Sequence, residues 1–177
     1  LLFAGEDGVA AVSIIMYLQF LCIGIYFGFS MGLSTPLGYA YGDRNFSVCR
    51  VLEKYAYRFF AIAPIILYGC TYLLTPIGVR FFASPGSTVF DMAVSGLRLY
   101  GLGFLFSGIN IFAAIRMMTY GKGYISGMIT FLRSFALLLL FLTVLPRFLE
   151  LNGIWLAVPA AEILTLIVAL WTLRKKL

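Results

Sequence analysis

Glu162 is the residue whose position says most about chemistry. The acids are Glu6, Asp7, Asp43, Glu53, Asp91, Glu150 and Glu162, and all but the last read as loop or helix-end residues. Glu162 falls nine residues into an apolar run that opens near Gly153. At about 1.5 Å per residue that is about 14 Å of helix, close to the midplane of a bilayer whose hydrocarbon core is about 30 Å thick. A carboxylate there costs several kcal/mol unless it is paired, hydrated or protonated. Arg133 lies about ten residues into the preceding apolar run and reaches a similar depth of about 15 Å. Antiparallel helices with a short connection pack side by side, so the spacing predicts an intramembrane Arg133–Glu162 pair. Such a pair serves either as a proton- or cation-linked gate that opens when Glu162 is protonated, or as a structural ion pair. Residue types alone leave both roles open.

Two amides, Gln19 and Asn110, lie inside other apolar runs. Amides in lipid bond across helices, which makes them interhelical ties or cavity-facing contacts. Gly24, Gly28 and Gly32 form GxxxGxxxG, a spacing that puts small residues on one helix face and allows close helix approach. Tyr55, Tyr57, Tyr100, Tyr120, Tyr124 and Trp171 fall near the expected interfaces and read as an aromatic belt. The chain has no His, which excludes Ser/His/Asp and Cys/His catalysis, and no other catalytic dyad is apparent. Cys22, Cys49 and Cys70 have no CxxC spacing, so neither a metal site nor a disulfide framework is expected. ATP-driven transport would need a Walker motif, and none is present in this chain.

The elements that position these residues are transmembrane helices. The chain has 62% hydrophobic and only 11% charged residues, with mean hydropathy +1.00; soluble domains are about 25% charged. Too little polar surface exists to face water, and membrane lipid becomes the surrounding partner. The net charge of +6 does not point to nucleic acid, because the basic residues fall between apolar runs rather than in a stripe of their own. The pattern predicts an all-α bundle of about five transmembrane helices, at approximately 9–38, 55–82, 89–119, 124–145 and 153–173. Pro36 and the polar cluster after it are expected to end the first, Pro64 to kink the second, and Pro146 to close the fourth. The cations Arg44, Arg50, Lys54 and Arg58 then occupy the first loop. Arg116, Lys122 and Arg133 flank the third, and Arg174, Lys175 and Lys176 form the tail. Ten cations thus lie on one side against Arg80, Arg98 and Arg147 on the other. The positive-inside rule places the C-terminus in the cytoplasm. The start at Leu1, with no Met or basic leader, suggests an N-terminal truncation and at least one missing helix.

Three stretches resemble the MATE family of multidrug and toxin extrusion transporters. Gly8-Val9-Ala10-Ala11, followed by a long helix to Ser34-Thr35-Pro36-Leu37-Gly38-Tyr39-Ala40-Tyr41-Gly42, is similar to that family's eighth helix and the loop after it. Tyr120-Gly121-Lys122-Gly123 through Leu132-Arg133 is similar to its link from the tenth to the eleventh helix. Leu145-Pro146, followed by Leu151-Asn152-Gly153-Ile154-Trp155-Leu156-Ala157-Val158-Pro159-Ala160-Ala161-Glu162, looks like the opening of its twelfth helix. The resemblance implies helices eight to twelve of a twelve-helix, two-lobe plasma-membrane antiporter, not an enzyme. It would exchange drug-like organic cations for protons or sodium, with no cofactor beyond that ion. The N-terminal lobe would be the missing partner. One branch of the family places acids on helices seven and ten; here the tenth-helix equivalent carries Asn110 and no acid, a departure that puts a cation site of that type in doubt. A lipid-linked oligosaccharide flippase of the same superfamily and a non-transporting structural subunit are the alternatives.

Overall fold

A computed structural model of the chain describes residues 4–174, so the tail cations Lys175 and Lys176 lie outside the described residues. Five helices are long and apolar enough to cross a membrane: α1 (Gly5–Gly42), α2 (Phe46–Arg80), α3 (Thr88–Thr119), α4 (Gly123–Val144) and α5 (Pro146–Arg174). Their apolar faces without a partner in the bundle, such as Phe20, Leu21, Ile65, Leu73, Phe131 and Leu140, are exposed, as lipid-facing side chains must be.

The helix ends differ from the sequence expectation in ways with physical causes. α1 continues through Pro36 to Gly42, because a proline removes one ladder bond and does not stop a helix whose neighbours hold it. α2 starts at Phe46, nine residues before the expected Tyr55. The Asn45 side chain caps it by accepting the Val48 N–H at 3.3 Å. Cys49, Glu53, Ala56 and Phe60 then recur at intervals of four, three and four residues and are buried, while Arg50, Lys54 and Arg58 are exposed. That is an amphipathic helix, not a loop. α2 also runs uninterrupted through Pro64 and Pro76. Pro146, expected only to close α4, opens α5, which is broken at Glu150 (φ 49°, ψ −127°). Gly153 makes the fold-back possible: a Cβ there would lie 2.5 Å from the Leu145 carbonyl.

α3 is the central post. In its most apolar window 72% of residues are buried, against 6% for α4. Three core layers stack along it. One holds Ile15, Val79, Leu97 and Trp155, a middle one Tyr26, Phe60, Phe104 and Phe112, and a third Leu37, Cys49, Met117 and Ile129. The close approaches that build these layers are made by glycines of α3. A Cβ at Gly96 would sit 2.8 Å from Ile15 and 2.9 Å from Trp155, and one at Gly108 would sit 2.7 Å from Phe60. Gly24, Gly28 and Gly32, expected to provide tight packing, are exposed, and nothing lies within 4 Å of a Cβ added at any of them. No described helix of this chain uses that face.

Candidate functional site

Gly103, Ser107 and Asn110 follow one another at helical spacing and present one face of α3 to α5. Gly103 lets α5 come close; a Cβ there would lie 3.2 Å from Val158. On α5 the facing row is Ala161, Thr165, Ala169 and Thr172, all buried and small. Glu162 stands at this contact, 3% exposed.

Its carboxylate is fully engaged. Oε1 accepts from Ser107 Oγ at 2.8 Å and from Arg133 Nε at 2.6 Å. Oε2 accepts from Asn110 Nδ2 at 2.7 Å, and the same Nδ2 lies 2.9 Å from the Glu162 backbone carbonyl. Asn110 is fully buried. The structure therefore brings together Arg133, Glu162 and Asn110, three residues singled out from sequence, and adds Ser107, which carried no signal of its own. Gln19 is one step away: its Oε1 accepts from the Tyr100 hydroxyl. Tyr100, expected in the aromatic belt, is a wall of this site.

Arg133 is delivered by a local irregularity. Residues Leu132–Ala136 of α4 form a π turn in which the Leu137 N–H bonds to the Leu132 carbonyl, five residues back. The wider turn inserts one extra residue into the helix. Beside the ion pair lies a cavity of about 160 Å³ lined by Gln19, Tyr100, Phe104, Ser107, Arg133 and Glu162 among others. Four of the five helices contribute to it. The arrangement can hold a carboxylate charged inside a membrane helix bundle, and its one cationic contact comes from a side chain that also faces the open cavity.

A second buried pair was missed. Glu53 accepts from Arg116 Nε and, at 2.6 Å, from the Tyr120 hydroxyl. Arg116 also donates to the Thr172 carbonyl at 3.4 Å and lies over the Tyr120 ring at 5.0 Å. The sequence pattern places Glu53 and Arg116 in loops and Tyr120 in the aromatic belt, yet their exposures are 7%, 2% and 5%. The signal available in sequence was the Cys49, Glu53, Ala56, Phe60 spacing. Burial, and then the bond to Glu53, push the Tyr120 phenol above its usual range, so it stays a donor. Arg98 has no acidic partner among the described residues and rests over the Tyr72 ring at 4.6 Å.

A bundle of five membrane-spanning helices with two ion pairs buried between them defines the class: a polytopic membrane protein. Residues 1–145 match the MatE family model, and the chain belongs to that family. Solved structures agree in fold. An outward-facing multidrug resistance MATE family transporter of the MOP superfamily superposes with a TM-score of 0.87 at 22% identity, covering 98% of this chain and 41% of that one. A MOP superfamily transporter from Pyrococcus furiosus, described as having a binding pocket of reverse polarity, gives 0.86 at 21%, covering 96% and 39%. A point mutant of VcmN, the Vibrio cholerae MATE transporter, gives 0.86 at 20%, covering 95% and 38%. The chain thus spans about two fifths of the length of these structures. No curated protein matches it.

Proposed function

We propose that the chain forms one lobe of a secondary active transporter that exchanges drug-like organic cations for protons or sodium ions by alternating access. In this reading it sits in the plasma membrane with its C-terminus in the cytoplasm, and a second lobe completes the central cavity. One observation carries the proposal: a carboxylate buried at mid-span, Glu162, whose only cationic partner among the described residues, Arg133, is held in a π turn. The titratable groups facing Glu162 are Arg133 from α4 and Tyr100 from α3; Ser107, Asn110 and Gln19 are neutral. When Glu162 is charged, its pair with Arg133 ties α4 to α5. Protonation removes that attraction and releases Arg133. A ligand that favours one of these two arrangements shifts the balance between them, which is the coupling an antiporter needs.

A second reading, flipping of a lipid-linked oligosaccharide, is favoured by one observation: Arg98 and Arg133 both have unused donors inside the spans, and a pyrophosphate needs such donors. The test is uptake of a fluorescent organic cation by the complete natural chain in vesicles under an imposed pH or sodium gradient. Gradient-driven uptake that Glu162→Gln abolishes supports antiport with Glu162 as the coupling group. Uptake unchanged in that variant removes the coupling role. Movement of lipid-linked sugar without cation uptake selects the flippase.

A further inference from the structure

Arg133 touches Glu162 through Nε alone. Its two terminal amino groups, with four N–H donors, have no partner among the described residues, and the side chain lines the cavity. A guanidinium held by one edge, with its fork open, matches a planar carboxylate, which accepts two parallel N–H bonds. We propose that this cavity binds a small planar carboxylate, and that it does so together with a proton taken up by Glu162.

The shape of the site favours an aromatic ring behind that carboxylate. Tyr100 and Phe104 line the cavity with their rings 6.1 Å apart at an angle of 69°. Its volume is about 160 Å³, and an apolar cavity of about 150 Å³ takes benzene. The Tyr100 hydroxyl is already engaged by Gln19 Oε1, which leaves the Gln19 amide as a further donor toward the ligand.

Charge decides the proton. With Glu162 ionised, the Arg133–Glu162 pair is neutral, and an added anion would leave one net negative charge in a low-dielectric site. With Glu162 protonated, the ligand carboxylate replaces it as the counter-ion of Arg133, and the site is neutral again. The step is a proton transfer: an O–H bond of the solvent or buffer acid breaks, an O–H bond forms on the Glu162 carboxylate, and every other change is an exchange of hydrogen bonds and counter-ions. Arg133 and Tyr100 are the other titratable groups facing Glu162, and neither gains the proton in this exchange.

Benzoate is the probe and benzamidine its charge-reversed counterpart of the same shape. Binding to the purified complete natural chain is measured by titration calorimetry in two buffers of different ionisation enthalpy, which gives the protons taken up. Wild type is expected to bind benzoate with uptake of about one proton. Glu162→Gln, which imitates the protonated acid, should bind about tenfold more tightly with no proton uptake. The double variant Arg133→Gln/Glu162→Gln leaves no lone buried charge, so it keeps the fold, and it should not bind benzoate. Preference for benzamidine in wild type, or benzoate binding undiminished in the double variant, overturns the proposal. These are binding measurements without a gradient, so failure of cation antiport in vesicles leaves them untouched, and their failure leaves antiport untouched.

Discussion

The two buried ion pairs of this bundle are built on opposite plans. Glu53–Arg116 is sealed: Tyr120 closes it from one side, the Thr172 carbonyl takes a second donor of Arg116, and α2, α3 and α5 meet around it. Glu162–Arg133 has one sealed side and one open side. Ser107 and Asn110 hold the carboxylate from α3, while the guanidinium spends one donor on the pair and leaves the rest toward a cavity. A sealed pair can only be intact or broken. An open pair has spare valence, so it can exchange partners at small cost, and that difference separates a fastening from a working part.

The comparison breaks most visibly at the sealed pair. Arg116→Gln leaves Glu53 as a lone buried charge and should cost about 3–5 kcal/mol, read as a large fall in thermal unfolding temperature of the purified protein in detergent. The double change Glu53→Gln/Arg116→Gln should recover most of the loss; a double variant as unstable as the single would mean that the pair is not the source. Next comes Tyr120→Phe, which removes one donor to a charged acceptor and should cost about 1.5–3 kcal/mol in the same assay. At the open pair, Glu162→Gln keeps acceptors for Ser107 and Arg133 and leaves the guanidinium facing a cavity, so its stability loss should be only about 1 kcal/mol. A loss equal to that of Arg116→Gln would erase the distinction between the pairs. The smallest effect concerns packing. Gly28→Ala should change stability by no more than about 0.5 kcal/mol, whereas Gly108→Ala, driven against Phe60, should cost about 1–3 kcal/mol.

What the sequence revealed follows from what each signal measures. Counting residues from the end of an apolar run places a charge at a depth, and it brought Arg133 and Glu162 to the same level on adjacent helices. It also left Asn110 as the only amide deep in the third run. Depth says nothing about facing, so Ser107 could not be picked from the other hydroxyls. Glu53 is hidden because the first turns of α2 are rich in charge and look like a loop; only the four-three-four spacing of its buried face marks a helix. The glycines show a further limit. An open stripe on α1 and the packed glycines of α3 are the same letters, and only the second set has Phe60, Ile15 and Trp155 against it. The π turn is silent for a related reason: the residues after it, Leu137 to Leu142, are uniformly apolar, and a run without polar residues has no phase to shift.

That turn carries one residue more than an α-helix of the same height requires. A single-residue deletion in a membrane helix ordinarily rotates everything beyond it by about 100° and shifts it by about 1.5 Å, and the helix loses its match to its neighbours. Between Leu132 and Ala136 the same deletion removes the surplus instead. The ladder closes into an unbroken α-helix, and the two halves of α4 keep their faces toward their neighbours. At the point where it meets Glu162, α4 therefore has slack of one residue that can be taken up without turning the rest of the helix away from its neighbours.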